Sequence, residues 1–204
     1  MTRTVAVTGS SGFIGRNLMT ALAARGATIP IARPFDAARI ASRIAGADAI
    51  VHLGGLVSAP RDRDLFDANV ENTRVVADAA RRAGVPVVYI SSLAAGGPAP
   101  LSRPRVEDDP PSPLTPYGHS KLAGERVIRA TDGLHWTILR PTVVYGPGDR
   151  GMLPLFRLAA RGVLPHVGRT TAHYMFVHVH DLVRAIDRAI DARADGETMF
   201  VCHP

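Results

Sequence analysis

The sequence predicts an α/β fold: a doubly wound parallel sheet, Rossmann-like, with one long loop. Three observations predict it. Short, near-continuous apolar runs recur along the chain, segments of helical spacing separate them, and the first run passes through a glycine-rich turn into a helix. Strands buried on both faces lose the polar alternation of a half-exposed strand, and the intervening helices supply the crossovers that parallel pairing needs.

Thr4–Thr8 reads as the first strand. A helix follows to about Arg25, with Ile14, Leu18 and Leu22 on one face and Gly26 placed to cap it. Ala27–Ala32 is a second strand weakened by Pro30, then a helical stretch at Ala37–Ala45 leads to a third strand, Asp48–Leu53. A long helix from about Asp64 to Ala83 ends at Gly84 before the fourth strand, Val87–Ser91. Leu93–Pro116 is proline-rich and carries Glu107, Asp108 and Asp109 in a row, which suits a long functional loop. Regular structure resumes with a helix at Tyr117–Ala130 and a strand at His135–Arg140. After the turn YGPGDRG come a helix around Leu153–Arg161, a short strand ending at Val177, a helix at Asp181–Ala192 and a last strand at Thr198–Cys202.

The 204 residues fit one domain, with substrate-lobe elements at about residues 145–180 inserted before the last helix and strand. A hydrophobic content of 46% supplies a core, and one cysteine excludes a disulfide framework or a cysteine-based zinc cluster. No apolar run approaches the roughly 20 residues of a membrane span, and the N-terminus enters a strand directly, so the expectation is a soluble cytoplasmic protein without membrane contact. The formal charge of +6 comes from scattered arginines without interleaved aromatics, which argues against nucleic acid as a partner.

The turn TGSSGFIG is the first chemical signal. Gly9 permits the tight turn, Gly12 lets backbone approach a pyrophosphate, and Gly15 allows close helix–strand contact, while the helix N-terminus offers N–H groups and a positive dipole end. With Ser11, Phe13 and Ile14 between them, these residues form the expected cradle of a dinucleotide. The spacing G-x-x-G-x-x-G resembles the extended short-chain dehydrogenase/reductase superfamily, in its NAD-dependent epimerase/dehydratase branch.

Tyr117-Gly-His-Ser-Lys121 is the second signal. Four residues apart on a helix, the phenol and the ammonium project from one face. A phenol near pKa 10 is a poor base at neutral pH, and a neighbouring cation is expected to lower that value. The ordinary alternative is a tyrosine and a lysine on a solvated helix face. Lys121 is the only lysine among 24 basic residues, and chance would place it four positions after one of four tyrosines about 2% of the time. The pair is therefore read as catalytic, with Lys121 also gripping a cofactor ribose.

The resemblance extends further. It assigns Ser92, after the fourth strand, as the hydroxyl that orients the reacting oxygen. The same serines could instead merely cap the strand. Leu53-Gly54-Gly55 resembles the segment that passes beneath the cofactor, and Asn69-Val70 with Thr73 resembles an NVxGT helix, with Asn72 in place of glycine. Arg140-Pro141-Thr142-Val143-Val144-Tyr145-Gly146-Pro147 resembles the RPxxVYGP turn, which implies that Pro141, Thr142 and Val143 face the nicotinamide. Val177–Asp181 resembles HVxD, which accounts for His178 and His180 better than a metal site does; no metal is expected.

Three departures qualify the resemblance. Only Arg33–Ala47 separates the second strand from the third, leaving no room for a further strand. Arg33 stands where an NAD-selective fold carries an acid, so NADP is favoured over NAD, with Asp36 the nearest alternative acid. The chain stops soon after HVxD, as a compact variant, a protein completed by a partner, or a fragment would.

The expected activity is that of an NAD(P)-dependent epimerase or reductase acting on a secondary alcohol or ketone of a nucleotide sugar. Leu93 and Ala94, after Ser92, disfavour a 4,6-dehydratase, which requires an Asp-Glu pair there. Two alternatives stay open: an NADPH-dependent carbonyl reductase with a non-sugar substrate, and a non-catalytic dinucleotide-binding or sensor module. The two long helices resemble those that pair in a family homodimer.

Overall fold

Alternate residues of the central strands face opposite ways, and that alternation builds two cores. The computed structural model describes residues 3–99, 103–163 and 173–203. The strands are β1 (Arg3–Thr8), β2 (Gly26–Ile31), β3 (Ala49–His52), β4 (Val87–Ile90), β5 (Trp136–Pro141), β6 (Val143–Tyr145), β7 (Phe176–His178) and β8 (Glu197–Val201). The helices are α1 (Phe13–Ala23), α2 (Ala37–Ile44), α3 (Asp62–Phe66), α4 (Asn72–Ala83), α5 (Leu93–Gly96), α6 (Pro116–Arg129), α7 (Leu153–Ala159) and α8 (Val179–Ala192).

Six strands form one parallel sheet in the order β2-β1-β3-β4-β5-β8, while β6 and β7 pair separately. The chain reverses its direction of growth at β1, whose two neighbours are β2 and β3. The crevice between the carboxyl ends of β1 and β3 is therefore the switch point where such sheets take ligands. On one face Ala6, Ile50, Tyr89 and Ile138 pack with Ile40, Ile44, Val76 and Ile128 of α2, α4 and α6. On the other, Val5, Val7, Val51, Val88 and Leu139 meet Leu18 and Leu22 of α1 and Leu182, Ile186 and Ile190 of α8. Arg3 and Arg25 pair with Asp187 and Asp191, tying the start of β1 and the chain after α1 to α8.

Proline is tolerated in β2 because this strand lies at the sheet's edge, and Pro30 itself is exposed. Only α2 lies between β2 and β3, so the extra strand is absent as expected. Gly84 ends α4 in the left-handed region at φ +65°, its N–H reaching the carbonyls of Ala80 and Arg81. Gly26 does not cap α1, contrary to the sequence reading. The helix closes on Ala24, and Gly26 opens β2, where a Cβ would come within 1.9 Å of the Arg3 carbonyl oxygen.

The expected 64–83 helix is α3 and α4 joined through a π-helical turn at Asp67–Glu71. The 93–116 segment is also more built than a plain loop. It begins with α5, and Arg105 donates to the carbonyls of Pro98 and Pro110, while Arg103 pairs with Asp109. Glu107 accepts the Phe200 N–H at 2.9 Å, so the loop shields the other edge strand, β8. The predicted 145–180 lobe comprises β6, α7 and β7 among the described residues, and its 164–172 stretch lies outside them.

Candidate active site

Every sequence-predicted site residue lies at or just beyond the carboxyl edge of the six-stranded sheet, or on a helix facing it. The 9–15 turn follows β1, Leu53–Gly55 follows β3, Ser92 follows β4, and Pro141–Val143 runs from the last residue of β5 into β6. Gly9, at φ +68°, abuts the second turn, since a Cβ there would lie 3.2 Å from the Gly54 nitrogen. A Cβ on Gly15 would lie 2.1 Å from the Gly9 carbonyl oxygen, so only glycine lets α1 start this close to its own turn. Ser11 and Gly12 are exposed, while Phe13 and Ile14 are half-buried. No side chain caps α1 and its first turn holds no acid, which leaves the helix's positive end open to an anion. Pro141 and Thr142 are buried, and Val143 is exposed.

Thr115 caps α6 by accepting the Gly118 N–H at 3.0 Å, with Pro116 at the first helical position. Gly118 then allows the helix to butt against α5, where a Cβ would stand 2.5 Å from the Ala94 carbonyl oxygen. That approach carries Tyr117 to Ser92. The Ser92 hydroxyl caps α5, accepting the Ala94 N–H at 3.2 Å, and stands close enough to the Tyr117 phenol to act on its ionisation.

Lys121 is only 4% exposed. Its ammonium donates to the Ile90 carbonyl at 2.8 Å and sits 4.3 Å from the centre of the Tyr89 ring. Burial lowers its pKa to about 7, and Glu125 opposes the fall. Tyr117 behaves differently from the sequence expectation. Burial pushes its phenol above the ordinary value, and the neighbouring Ser92 hydroxyl pulls it down. The predicted lowering by Lys121 is not what this geometry produces, because the amine is turned to β4.

Sequence reasoning missed the polar network beneath the site. Thr8 Oγ1 lies 2.6 Å from His52 Nδ1, and His52 Nε2 lies 3.0 Å from Thr73 Oγ1. Thr73 donates to the Asn69 carbonyl, and the Asn69 amide donates to Ser120 Oγ and the Leu56 carbonyl, each at 2.9 Å. Ser120 returns to the Tyr117 carbonyl at 2.8 Å. The π turn places Asn69 at its middle, where the amide pins the loop after Gly55 to α6. The signal that could have found His52 is a histidine inside an otherwise apolar strand.

His52 is fully buried and held neutral, its pKa lowered to about 3 by burial, with Lys121 and Arg33 adding to the effect. Its folded value lies below its unfolded one, so the unfolded chain takes up the proton first and stability falls as pH drops from 6.5 toward 3. Between pH 7 and pH 5 this group alone removes about 2 kcal/mol. Denaturant titrations at both pH values are expected to show a loss smaller by that amount in His52→Gln.

Beyond β2, Arg33 is exposed and Asp36 is occupied, its carboxylate capping α2 by accepting the Arg39 N–H at 2.8 Å. His178 caps α8, its Nδ1 accepting the His180 N–H at 3.3 Å.

This arrangement fits a dinucleotide. The uncapped end of α1 suits a pyrophosphate, the Gly9/Gly54 contact leaves a floor without side chains, and Lys121 keeps donors beyond the one given to Ile90. Residues 5–202 match the model of the NAD dependent epimerase/dehydratase family. The chain belongs to that family. A ceramide reductase of Caulobacter vibrioides is 34% identical over 95% of this chain and 66% of its own length. A UDP-glucose 4-epimerase of Azospirillum brasilense is 34% identical over 72% of this chain and 51% of its own length. The structure of MoeE5 in complex with UDP-glucose and NAD superposes with a TM-score of 0.83 at 30% identity, covering 98% of this chain and 76% of that one. The chain thus spans about half to two thirds of these two curated relatives. Among the described residues, no helix is long and apolar enough to cross a membrane.

Proposed function

We propose that this family member is an NAD(P)-dependent epimerase or reductase acting on a secondary alcohol or ketone of a nucleotide sugar, with Ser92, Tyr117 and Lys121 as its catalytic residues. One observation carries the reading: Tyr117, with Ser92 acting on its phenol, lies at the same sheet edge as the uncapped end of α1, with the buried Lys121 amine one helical turn behind. A nicotinamide held at this edge would supply or accept the hydride. Tyr117 gives its proton to the oxygen of a ketone, or takes one from an alcohol, and Ser92 orients that oxygen. Lys121, one turn along the helix, would stabilise the phenolate formed in the second direction by swinging from the Ile90 carbonyl toward it, and has donors left for a ribose.

Gly9, Ser11, Gly12, Phe13, Ile14 and Gly15 would hold the pyrophosphate, and Leu53, Gly54 and Gly55 the underside of the dinucleotide. Pro141, Thr142 and Val143 would line its nicotinamide end. NADP is favoured over NAD: Arg33 is exposed and has no ion pair among the described residues, which suits a 2′-phosphate, whereas Asp36 is committed to α2. The MoeE5 complex with UDP-glucose and NAD supports the sugar substrate. The ceramide reductase favours a second reading, a carbonyl reductase with an apolar substrate, for which the exposed Val57, Leu114 and Val143 are suited.

The two readings separate in one assay. An epimerase converts a UDP-hexose with no net change in nicotinamide absorbance, whereas a reductase consumes NADPH in step with ketone lost. Tight nucleotide binding with no turnover of sugar or apolar ketone contradicts both. We further read α4 and α6 as the face of a homodimer.

A further inference from the structure

Glu125 lies one helical turn beyond Lys121 and two beyond Tyr117, on the buried side of α6, and is 1% exposed. Both of its carboxylate oxygens are engaged. Oε1 accepts from Ser91 Oγ at 2.5 Å and from Arg140 Nε at 2.8 Å, and Oε2 accepts from the Arg140 guanidinium at 2.7 Å. Arg140, 4% exposed, enters from β5 and also stands over the Phe200 ring of β8. Ser91 is the residue immediately before Ser92. The carboxylate therefore joins α6 to the ends of β4 and β5 where the candidate site begins.

Stability alone is a poor reason for such a pair. Desolvating two charges offsets most of their attraction, and apolar residues of similar volume commonly replace a buried ion pair without loss. We propose that Glu125 is a positioning residue: with Arg140 it clamps Ser91, so that Ser92 meets Tyr117, and it supplies the negative charge that keeps the neighbouring Lys121 amine protonated. This rests on the reading of Ser92, Tyr117 and Lys121 as the reacting site.

The surroundings isolate the effect. Around Lys121, β4 presents the Tyr89 ring and the Ile90 carbonyl, β3 presents the neutral His52, and α6 itself carries Tyr117 and Glu125. Around Glu125 stand Arg140, Arg129, Tyr89 and Lys121. Of the groups around Lys121, Glu125 opposes the lowering that burial imposes on it.

The single lysine makes the test direct. Lysine labelled with 13C at Cε gives one side-chain resonance, whose pH titration in the nucleotide-free protein reports Lys121 alone. The wild-type midpoint is expected near the burial-lowered value of about 7. In Glu125→Gln it is expected to fall by about one pH unit, and turnover at pH 7 by about fivefold, with the falling limb of the pH–rate profile displaced to lower pH. Glu125→Asp, which keeps the charge, restores most of the midpoint.

Because Glu125→Gln leaves Arg140 buried and unpaired and can prevent folding, the double variant Glu125→Leu/Arg140→Met decides the matter. A folded double variant with the lowered midpoint supports the proposal. One that folds with the wild-type midpoint and the wild-type pH profile overturns it. The titration needs neither substrate nor nucleotide, so its failure is distinct from failure of the catalytic reading, which a fully active Tyr117→Phe would signal.

Discussion

Tyr117→Phe is expected to lower turnover by about 10²–10⁴-fold, the range for loss of a positioned proton donor. Binding of NADP is expected to stay within about threefold, since the phenol is assigned to the reacting oxygen and not to the phosphates or ribose. The phenol is half-buried, and the nearby Ser92 hydroxyl keeps its capping bond to Ala94 in the variant. The fold therefore survives, and thermal unfolding checks that it does. Burial holds the wild-type phenol above its ordinary value, so it is a proton donor at neutral pH and a base only when a cation comes closer. Steady-state rates over a pH series, with nucleotide affinity measured by fluorescence, separate the two effects. Activity retained in the variant removes the catalytic role.

Gly15→Ala carries the second large effect, on folding and nucleotide binding together. The added methyl would stand 2.1 Å from the Gly9 carbonyl oxygen and 2.8 Å from the Ser10 Cα, both backbone atoms that cannot swing aside. Relief requires α1 to move away from β1, which disturbs Leu18 and Leu22 in the core and shifts the helix end from the turn. Overpacking of this kind costs roughly 1–3 kcal/mol. Chemical denaturation is expected to show that loss, and calorimetric titration a decline in NADP affinity of at least about tenfold. A control at Gly46, where a Cβ meets nothing within 4 Å, separates the contact from the residue type. Its φ of +77° costs strain, but the site lies far along the chain from the turn.

How much of this was legible in the sequence varies with the kind of interaction. Apolar runs located β1, β3, β4 and β5 because strands buried on both faces have no other pattern. Gly84 was read correctly as a helix stop, but Gly26 was not. Both follow helices, and only the backbone path distinguishes a left-handed cap from a close strand contact. The placement of Tyr117 and Lys121 on one helix follows from spacing alone. Where the lysine points does not, because the Ile90 carbonyl that captures it lies 31 residues away in the chain.

The same limit hid the Thr8–His52–Thr73–Asn69 chain, whose members come from three separate segments and meet only when the sheet forms. Glu125 left a trace that could have been used. An acid on the face of α6 shared by Tyr117 and Lys121 is buried unless that face is solvated, and a buried acid needs a cation such as Arg140. The π turn left none, since its residues read as ordinary helix.

The account turns on Lys121 lying within reach of a dinucleotide bound at this sheet edge. The most direct measurement follows the one Cε resonance of this chain while NADP is added at fixed pH. Saturable movement of that resonance, shifted to at least about tenfold higher NADP in Gly15→Ala and kept in Tyr117→Phe, is the predicted result. NADP and NAD at millimolar concentration leaving the signal where it stood would contradict the account.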